Sequence, residues 1–464
     1  MQPEKKLAVK PSWAMSTKEL DDVIERIREN NTVNALRDFQ ADIPYLRPKE
    51  NLALLTHYRE VEFQLMRLLI GWIPTMEKFE VKMDLARQGY ICTQIIDLFD
   101  DRLKELPGYS ANIGSSAPAR EMRIRIAKAS SPEAFLAGVF HVIKAEMCQT
   151  LARHLPSCDP IADWPTIDRL EIAIRLIQQQ IQWAERWVAP ARNVPAQAEA
   201  LAAWCDYVNK VFNAAGGPRG GETDEFPEVP KAVAPLLDAC AEPARIEEGF
   251  EVTDAFMYLS QRITEGSLSD ILYHNLTELF VCDGLAYMIY DIEGMPYGFY
   301  RDFVRQIWDE SRHTQMGIRE LKRLHVDISK LPLNTVRRPK SYTHTLATIG
   351  YTGEGCSFPR KYESVEGFYT QGHPYPALIT EYDIADEQQH VRQIHRWLPK
   401  LHENENIAQP LEDVIKEAQL DAVDRWSSKE RGAPPSMQRA QQMVNKFGAF
   451  CREIDFEIDF NKVL

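Results

Sequence analysis

At 464 residues, with 44% hydrophobic and 26% charged side chains, the chain has the make-up of a globular protein of two to three domains. A formal net charge of −14 without any long run of Lys or Arg argues against a nucleic-acid partner, which needs clustered positive charge. No stretch approaches the ~18 uninterrupted apolar residues of a membrane span, and eight scattered cysteines with no Cys-x-x-Cys pair indicate neither a zinc knuckle nor a disulfide framework.

Met1-Gln2-Pro3-Glu4-Lys5-Lys6 does not lead into the apolar run of a secretory signal, so a cytoplasmic setting is expected. Ser16 to Leu20 reads as a short capped helix. Segment 50–71 places Leu54, Val61, Leu65 and Leu68 at spacings of three, four and seven residues, the periodicity of an amphipathic helix. Segments 76–106, 132–155 and 164–188 follow the same pattern. Gly216, Gly217, Pro218, Gly220 and Gly221 then break it, and an acidic, proline-bearing stretch runs on to Pro235. Beyond lie three more helical segments, 268–291, 296–325 and 373–400. A tail from Leu411 adds two amphipathic helices suited to packing or to a homodimer contact.

Strand-like alternation is scarce, and the fold class is all-α. The expected organisation is a helical domain over 1–213, a linker over 214–250, a second helical domain over 251–402 and a helical tail over 403–464. Leu65 to Pro74 followed by a helix ending Asp101 to Leu106 faintly parallels Ala286 to Pro296 followed by one ending Arg319 to Leu324, so the halves read as a repeat.

The strongest local signal is Asp309-Glu310-Ser311-Arg312-His313, matched by Asp386-Glu387-Gln388-Gln389-His390. Residues three apart share a helix face, so a carboxylate and an imidazole at that spacing can hold one cation from one side. A single Glu-x-x-His is weak. Two of the three Asp-Glu dipeptides in the chain carry the histidine, however, where chance gives even one such case about one time in twenty. Neither copy has the preceding histidine of His-Glu-x-x-His, which disfavours zinc protease chemistry.

Two facing Glu-x-x-His helices require one further glutamate from each remaining helix of a four-helix bundle. Glu278 lies 32 residues before Glu310, and Glu354 lies 33 before Glu387. Near-equal offsets are what a pseudo-twofold bundle predicts, although Gly350, Gly353, Gly355 and Pro359 make the Glu354 segment irregular. The expected metal ligands are therefore Glu278, Glu310, His313, Glu354, Glu387 and His390. Four carboxylates with two imidazoles suit iron or manganese better than zinc.

Asp309 and Asp386 are expected to accept the free N–H of the ligand histidines, across the bundle. Asp383 lies on the ligand face of its helix and reads as an outer acceptor, a proton relay or an extra ligand. Helical spacing also sets His274 and Cys282 near Glu278, and Gln306 near Glu310. Tyr351, one turn before Glu354, is a candidate catalytic side chain, with core packing as the plainer role.

Phe299 to Phe303 running to Asp309-Glu310-Ser311-Arg312-His313, and Asp386-Glu387-Gln388-Gln389-His390 running to Leu398, resemble the ferritin-like superfamily, and within it the bacterial proteins grouped as domain of unknown function 455. The resemblance covers about 265–400. It implies a carboxylate-bridged di-iron bundle with two Fe, or Mn or mixed Fe/Mn, a class that includes oxygenases, oxidases, desaturases, radical-generating subunits and iron stores. The first half looks like a second such bundle without metal, since Glu146 precedes Gln179 by 33 residues and Gln179 and Gln182 would take the Glu and His positions. The expected function is an oxidoreductase using O2 as cosubstrate on a small organic metabolite, with an electron donor as partner. The alternative is a non-catalytic metal-binding or partner-binding scaffold.

Overall fold

A computed structural model of the chain describes residues 45–427 other than 222, 224, 232–234, 251, 254–273, 332, 335 and 355–356, with a few positions between 16 and 25. Among the described residues the chain is helical almost throughout, and each strand is two residues long. No described helix is long and apolar enough to cross a membrane.

The first half opens with α1 (Pro48–Gly71) and α2 (Phe79–Lys104), packed along their lengths. A short α3 (Ala117–Ile126) and strand β1 (Lys128–Ala129) follow. Next, α4 (Pro132–Leu136) runs through a π-helical stretch, Ala137–Lys144, into α5 (Ala145–His154) with no break in helical backbone. Ser131 starts this rod by accepting the N–H of Ala134 (3.1 Å), which satisfies a donor the first helical turn cannot. Two long helices, α6 (Trp164–Arg192) and α7 (Pro195–Ala214), complete the half, so α7 ends where the glycine-rich boundary was expected.

The second half has a similar order of elements, without a counterpart of α3 among the described residues. It comprises α8 (Leu279–Asp291), α9 (Tyr297–Arg323), a rod of α10 (Tyr342–Thr348) and a π-helical stretch Ile349–Gly353, then α11 (Phe358–Thr370), α12 (Pro374–Asn404) and α13 (Leu411–Ser427). The first tail helix, α13, packs on α10 and its π-helical stretch and buries Val414, Ile415 and Ala418, so it belongs to this core. The second tail helix lies outside the described residues.

The halves meet through α1 against α8 and α2 against α9. From Tyr58 to Gly71 every residue of α1 is buried, which an amphipathic surface helix does not show. Its charged side chains must therefore find partners inside. Arg67 donates to the carbonyls of Ile289 (3.0 Å), Tyr290 (2.7 Å) and Ile292 (2.9 Å), filling acceptors that the end of α8 leaves open. Lys82 of α2 grips both oxygens of Asp283 of α8 at 2.8 and 3.0 Å, with both residues buried. Between α2 and α9, Tyr90 stacks on Trp308 with ring centroids 4.5 Å apart.

The stretch expected as a linker is partly built into the fold. Its strand β2 (Leu237–Asp238) pairs antiparallel with β1. Cys240 then donates to the Gly71 carbonyl (2.7 Å), Arg245 to that of Pro74 and Ala244 to that of Val336 (2.8 Å each), so this segment straps both halves.

Candidate metal centre

The middle of the second half is where its charged residues converge. Helix α9 turns Glu310 and His313 inward, and α12 turns Asp383, Glu387 and His390 inward. The other two carboxylates come from irregular backbone. Glu278 sits at a one-residue interruption between a helical turn at 274–277 and the start of α8. Glu354 follows directly on the π-helical stretch, whose wider turn shifts the phase of the helix and brings this carboxylate to the interior. The close approach depends on Gly350, where a Cβ would lie 2.6 Å from Cγ2 of Ile394.

Two buried trios result, Glu278 with His313 and Asp383, and Glu310 with Glu354 and His390, each with its donor atoms within 4.8 Å of one another. Cation–ligand bonds of about 2.1 Å set donors up to ~4.2 Å apart, so each trio is close to coordinating size. The imidazoles adjoin, with ring centroids 6.3 Å apart. Glu310 spans them, Oε2 lying 3.4 Å from Nδ1 of His313 and Oε1 3.4 Å from Nδ1 of His390. Both Nδ1 atoms, one oxygen each of Glu278, Glu354 and Asp383, and Oε1 of Gln306 are buried without a hydrogen-bond partner. Buried polar atoms are ordinarily satisfied. Six such atoms in one interior pocket are what a set of cation ligands looks like, and these residues fit a pair of divalent cations.

The other face of each imidazole is also specified. Nε2 of His313 is 3.2 Å from Oδ2 of Asp386, and Nε2 of His390 is 3.4 Å from Oδ2 of Asp309. Asp386 is on α12 and Asp309 on α9, so each aspartate lies against the histidine of the opposite helix. Arg305 and Arg312, which sequence reasoning missed, hold these aspartates in turn. The Nε of Arg305 reaches both oxygens of Asp309 (2.9 and 2.8 Å), and Arg312 bonds Asp309 and, at 2.6 Å, Asp386.

Glu387 departs from expectation. Its carboxylate is buried beside the trios but outside both, bonded by the Lys361 ammonium and by Ser357 Oγ at 3.3 Å. Asp383 takes the place in the trio instead, as the extra-ligand reading allowed, and also accepts from Lys361 (2.7 Å). Lys361 had no sequence signal, because it lies 26 residues from Glu387 on a different helix. Gln306 donates to Glu354 (2.8 Å) and more weakly to Glu310 (3.5 Å). Cys282 donates to the Ile307 carbonyl, and His274 sits at the rim with Nε2 3.8 Å from Glu278. Tyr351 is buried and stacks on His395, centroids 4.1 Å apart.

Electrostatics follow from burial and crowding. Burial pushes the Glu278 carboxyl up to about 6, and the charge of Asp383 adds to it. Burial likewise raises Glu354 to about 7. Glu310 moves the other way: burial opposes its charge, yet the two imidazoles bring it well below the usual carboxylate range. Burial disfavours both imidazolium ions, but the carboxylates around them raise His313 and His390 well above the ordinary histidine value.

Comparison with known proteins gave no match to the chain among family models, curated proteins or solved structures.

The middle of the first half has a different filling. Glu62 of α1 and Lys144, the last residue of the π-helical stretch, form a fully buried ion pair, with Lys144 Nζ 3.4 Å from Sγ of Cys92. Gln180 donates to the Gln88 carbonyl at 3.0 Å. The expected positions are corrected here. Glu146 points outward to Arg153 (3.7 Å), and Gln179 and Gln182 are exposed while Gln180 is buried. All nine buried residues of α6, from Thr166 to Ala191, have buried counterparts 210 residues later on α12. In that register Gln180 corresponds to His390, Ile177 to Glu387 and Ala173 to Asp383. The π-helical stretch adds to the helical turn, so intervals counted at α-helical pitch point Glu146 the wrong way.

Proposed function

We propose that the second half is a ferritin-like antiparallel four-helix bundle with a carboxylate-bridged di-iron centre, and that the chain uses O2 there to oxidise a small organic substrate. The observation that carries the reading is the Glu310 carboxylate, with one oxygen toward Nδ1 of each of two buried imidazoles, and with Glu278 and Asp383 close to one Nδ1 and Glu354 close to the other. The ligand chemistry suits iron or manganese. A shared burial register between α6 and α12, a π-helical stretch in each half and the Tyr90–Trp308 stack support a duplicated bundle whose first copy no longer binds metal.

Glu278, His313, Asp383, Glu310, Glu354 and His390 would hold the metals, with Glu387 in reserve beside them. Bound iron in its reduced form supplies electrons and open coordination positions for O2. The chain's own part is to fix geometry and exclude water. Asp309 and Asp386 orient the imidazoles, Arg305 and Arg312 keep those aspartates in place, and the surrounding apolar side chains keep the centre dry. In the metal-free chain burial raises Glu354 and Glu278 toward neutrality, and metal binding would displace the protons they hold. An electron donor and a homodimer belong to the same reading.

Metal analysis of the purified protein, followed by exposure of the ferrous form to O2 under optical monitoring, tests it. About two irons per chain and a spectral change on O2 addition are expected, both lost in Glu310→Ala, while His390→Ala retains at most about one iron and loses the spectral change. Less than about half an equivalent of iron or manganese, unaffected by either substitution, would sink the centre. Stoichiometric iron with no O2 reaction would favour a non-catalytic scaffold, a reading to which Lys361 lends weight because its ammonium compensates two buried carboxylates by itself.

A further inference from the structure

Lys361 is the feature that the two-metal reading does not absorb. It lies in the first turn of α11, is 7% exposed, and places Nζ 2.7 Å from Oδ2 of Asp383 and in contact with Oε1 of Glu387. Asp383 is one of the three residues of the Glu278 trio, and Glu387 stands three residues before His390 on the inner face of α12. Its ammonium thus occupies the ground between a trio and the Glu387 carboxylate, which belongs to neither. No such cation touches the other trio, Glu310, Glu354 and His390, among the contacts of the described residues. The first half also holds a buried ammonium: Lys144, preceding by one position the place that Glu354 holds after its π-helical stretch, is ion-paired with Glu62 in the middle of the helices.

We propose that Lys361 is a displaceable internal cation that makes the two metal positions unequal, holding Asp383 and Glu387 until a second metal ion drives its side chain outward. This inference rests on the two-metal reading of the same centre. A buried carboxylate pair needs a compensating positive charge, and an ammonium and a divalent cation compete for that role. The Glu310–Glu354–His390 position loads first, against no competing ammonium. Loading of the Glu278–His313–Asp383 position requires Lys361 to leave, which also frees Glu387 to turn toward the metals opposite Glu310. Lys361 has a four-carbon stem on a short helix at the edge of the centre, so outward movement needs rotamer changes rather than unfolding.

Titration of the metal-free full-length protein with Mn2+, followed calorimetrically, tests the inequality. The wild type is expected to bind in two steps, the second weaker by roughly tenfold or more, and Lys361→Met to tighten the weaker step by roughly tenfold while leaving the tighter one nearly unchanged. A wild type that takes up one Mn2+ where the variant takes up two supports the same conclusion. Acetylation of Lys361 in the wild type, read by peptide mass spectrometry with and without Mn2+, needs no variant; the lysine should react faster in the loaded protein. Two steps of equal affinity, or Lys361 labelling unchanged on loading, would overturn the inference and leave the metal centre standing. Mn2+ uptake by neither protein would overturn both.

Discussion

Nε2 of His313 on α9 lies 3.2 Å from Oδ2 of Asp386 on α12, and His390 on α12 faces Asp309 on α9 in return. Each Glu-x-x-His helix therefore orients its neighbour's imidazole, and the leading aspartate of each motif serves the other helix. Substituting Asp386 or Asp309 by Ala should weaken metal binding by about 10–100-fold while helical circular dichroism is retained, because such outer partners fix ring orientation and basicity. Unchanged Mn2+ affinity in both variants would refute the assignment.

Asp383 and Glu310 should differ in what they cost. Asp383 belongs to one trio, whereas Glu310 has an oxygen toward each imidazole. Asp383→Ala is expected to lower the stoichiometry from about two metals to about one, and Glu310→Ala to abolish both. Elemental analysis after gel filtration distinguishes these outcomes.

Proton linkage gives the metal-free protein a definite pH response. In the unfolded chain Glu278 and Glu354 lose protons near 4.5, but in the fold near 6 and 7, and both histidines are likewise raised. Between about pH 5 and 8 these four groups hold more protons in the fold than in the unfolded chain, so the stability they contribute is present at the acid end and is lost as pH rises, whereas His57, His141, His154 and His395, lowered by burial, act oppositely below about pH 6.5. Glu310 and Asp383, held low, lose their contribution only under more acidic conditions. Melting in the presence of a chelator should show the temperature falling from about pH 7 to about pH 8, above the range in which the lowered histidines titrate. Metal affinity should rise over the same window, since the ligands must shed those protons.

At Gly350 the π-helical stretch passes too close to α12 to admit a side chain. A methyl group there meets Ile394 at 2.6 Å. Gly350→Ala should destabilise the fold by about 1–3 kcal/mol and push Glu354 away from His390. The expected signature is a loss of affinity confined to one metal step; equal weakening of both would argue against a local displacement.

Lys82 and Asp283 tie the halves through a buried pair. Removing one partner leaves an unpaired buried charge, so Lys82→Met alone should cost about 3–5 kcal/mol, and Lys82→Met with Asp283→Leu markedly less. Denaturant unfolding of the single and double variants measures the difference, and equal losses would mean that the pair matters through packing only.

The long helices were legible because each shows a full apolar stripe at helical period, and the doubled motif was legible because α9 and α12 are regular, so three-residue spacing translates directly into a shared face. Legibility failed where the backbone leaves the α-helical pitch. Glu354 sat on a segment whose glycines read as irregular, and nothing in composition marks a π-helical turn. The same device in the first half turned Glu146 outward and set Lys144 inward. Arg305, Arg312 and Lys361 were missed for another reason: a surface cation and one that holds a buried carboxylate look alike until the carboxylate's position in space is known. The exchange of Glu387 for Asp383 in the trio depends on that lysine, and so could not precede it.

The clasp between α1, α2 and α8 also bears on how the chain is made. Lys82 is synthesised 201 residues before Asp283, and Arg67 222 before Ile289. While the ribosome is still translating the second half, the first half carries two cations built for an interior that has not yet been made. It can reach only a provisional fold at that stage, with α1 offering its apolar flank to any other nascent chain. Completion of α8 closes that interval, and a first half produced alone would leave Lys82 and Arg67 without the partners they have in the whole chain.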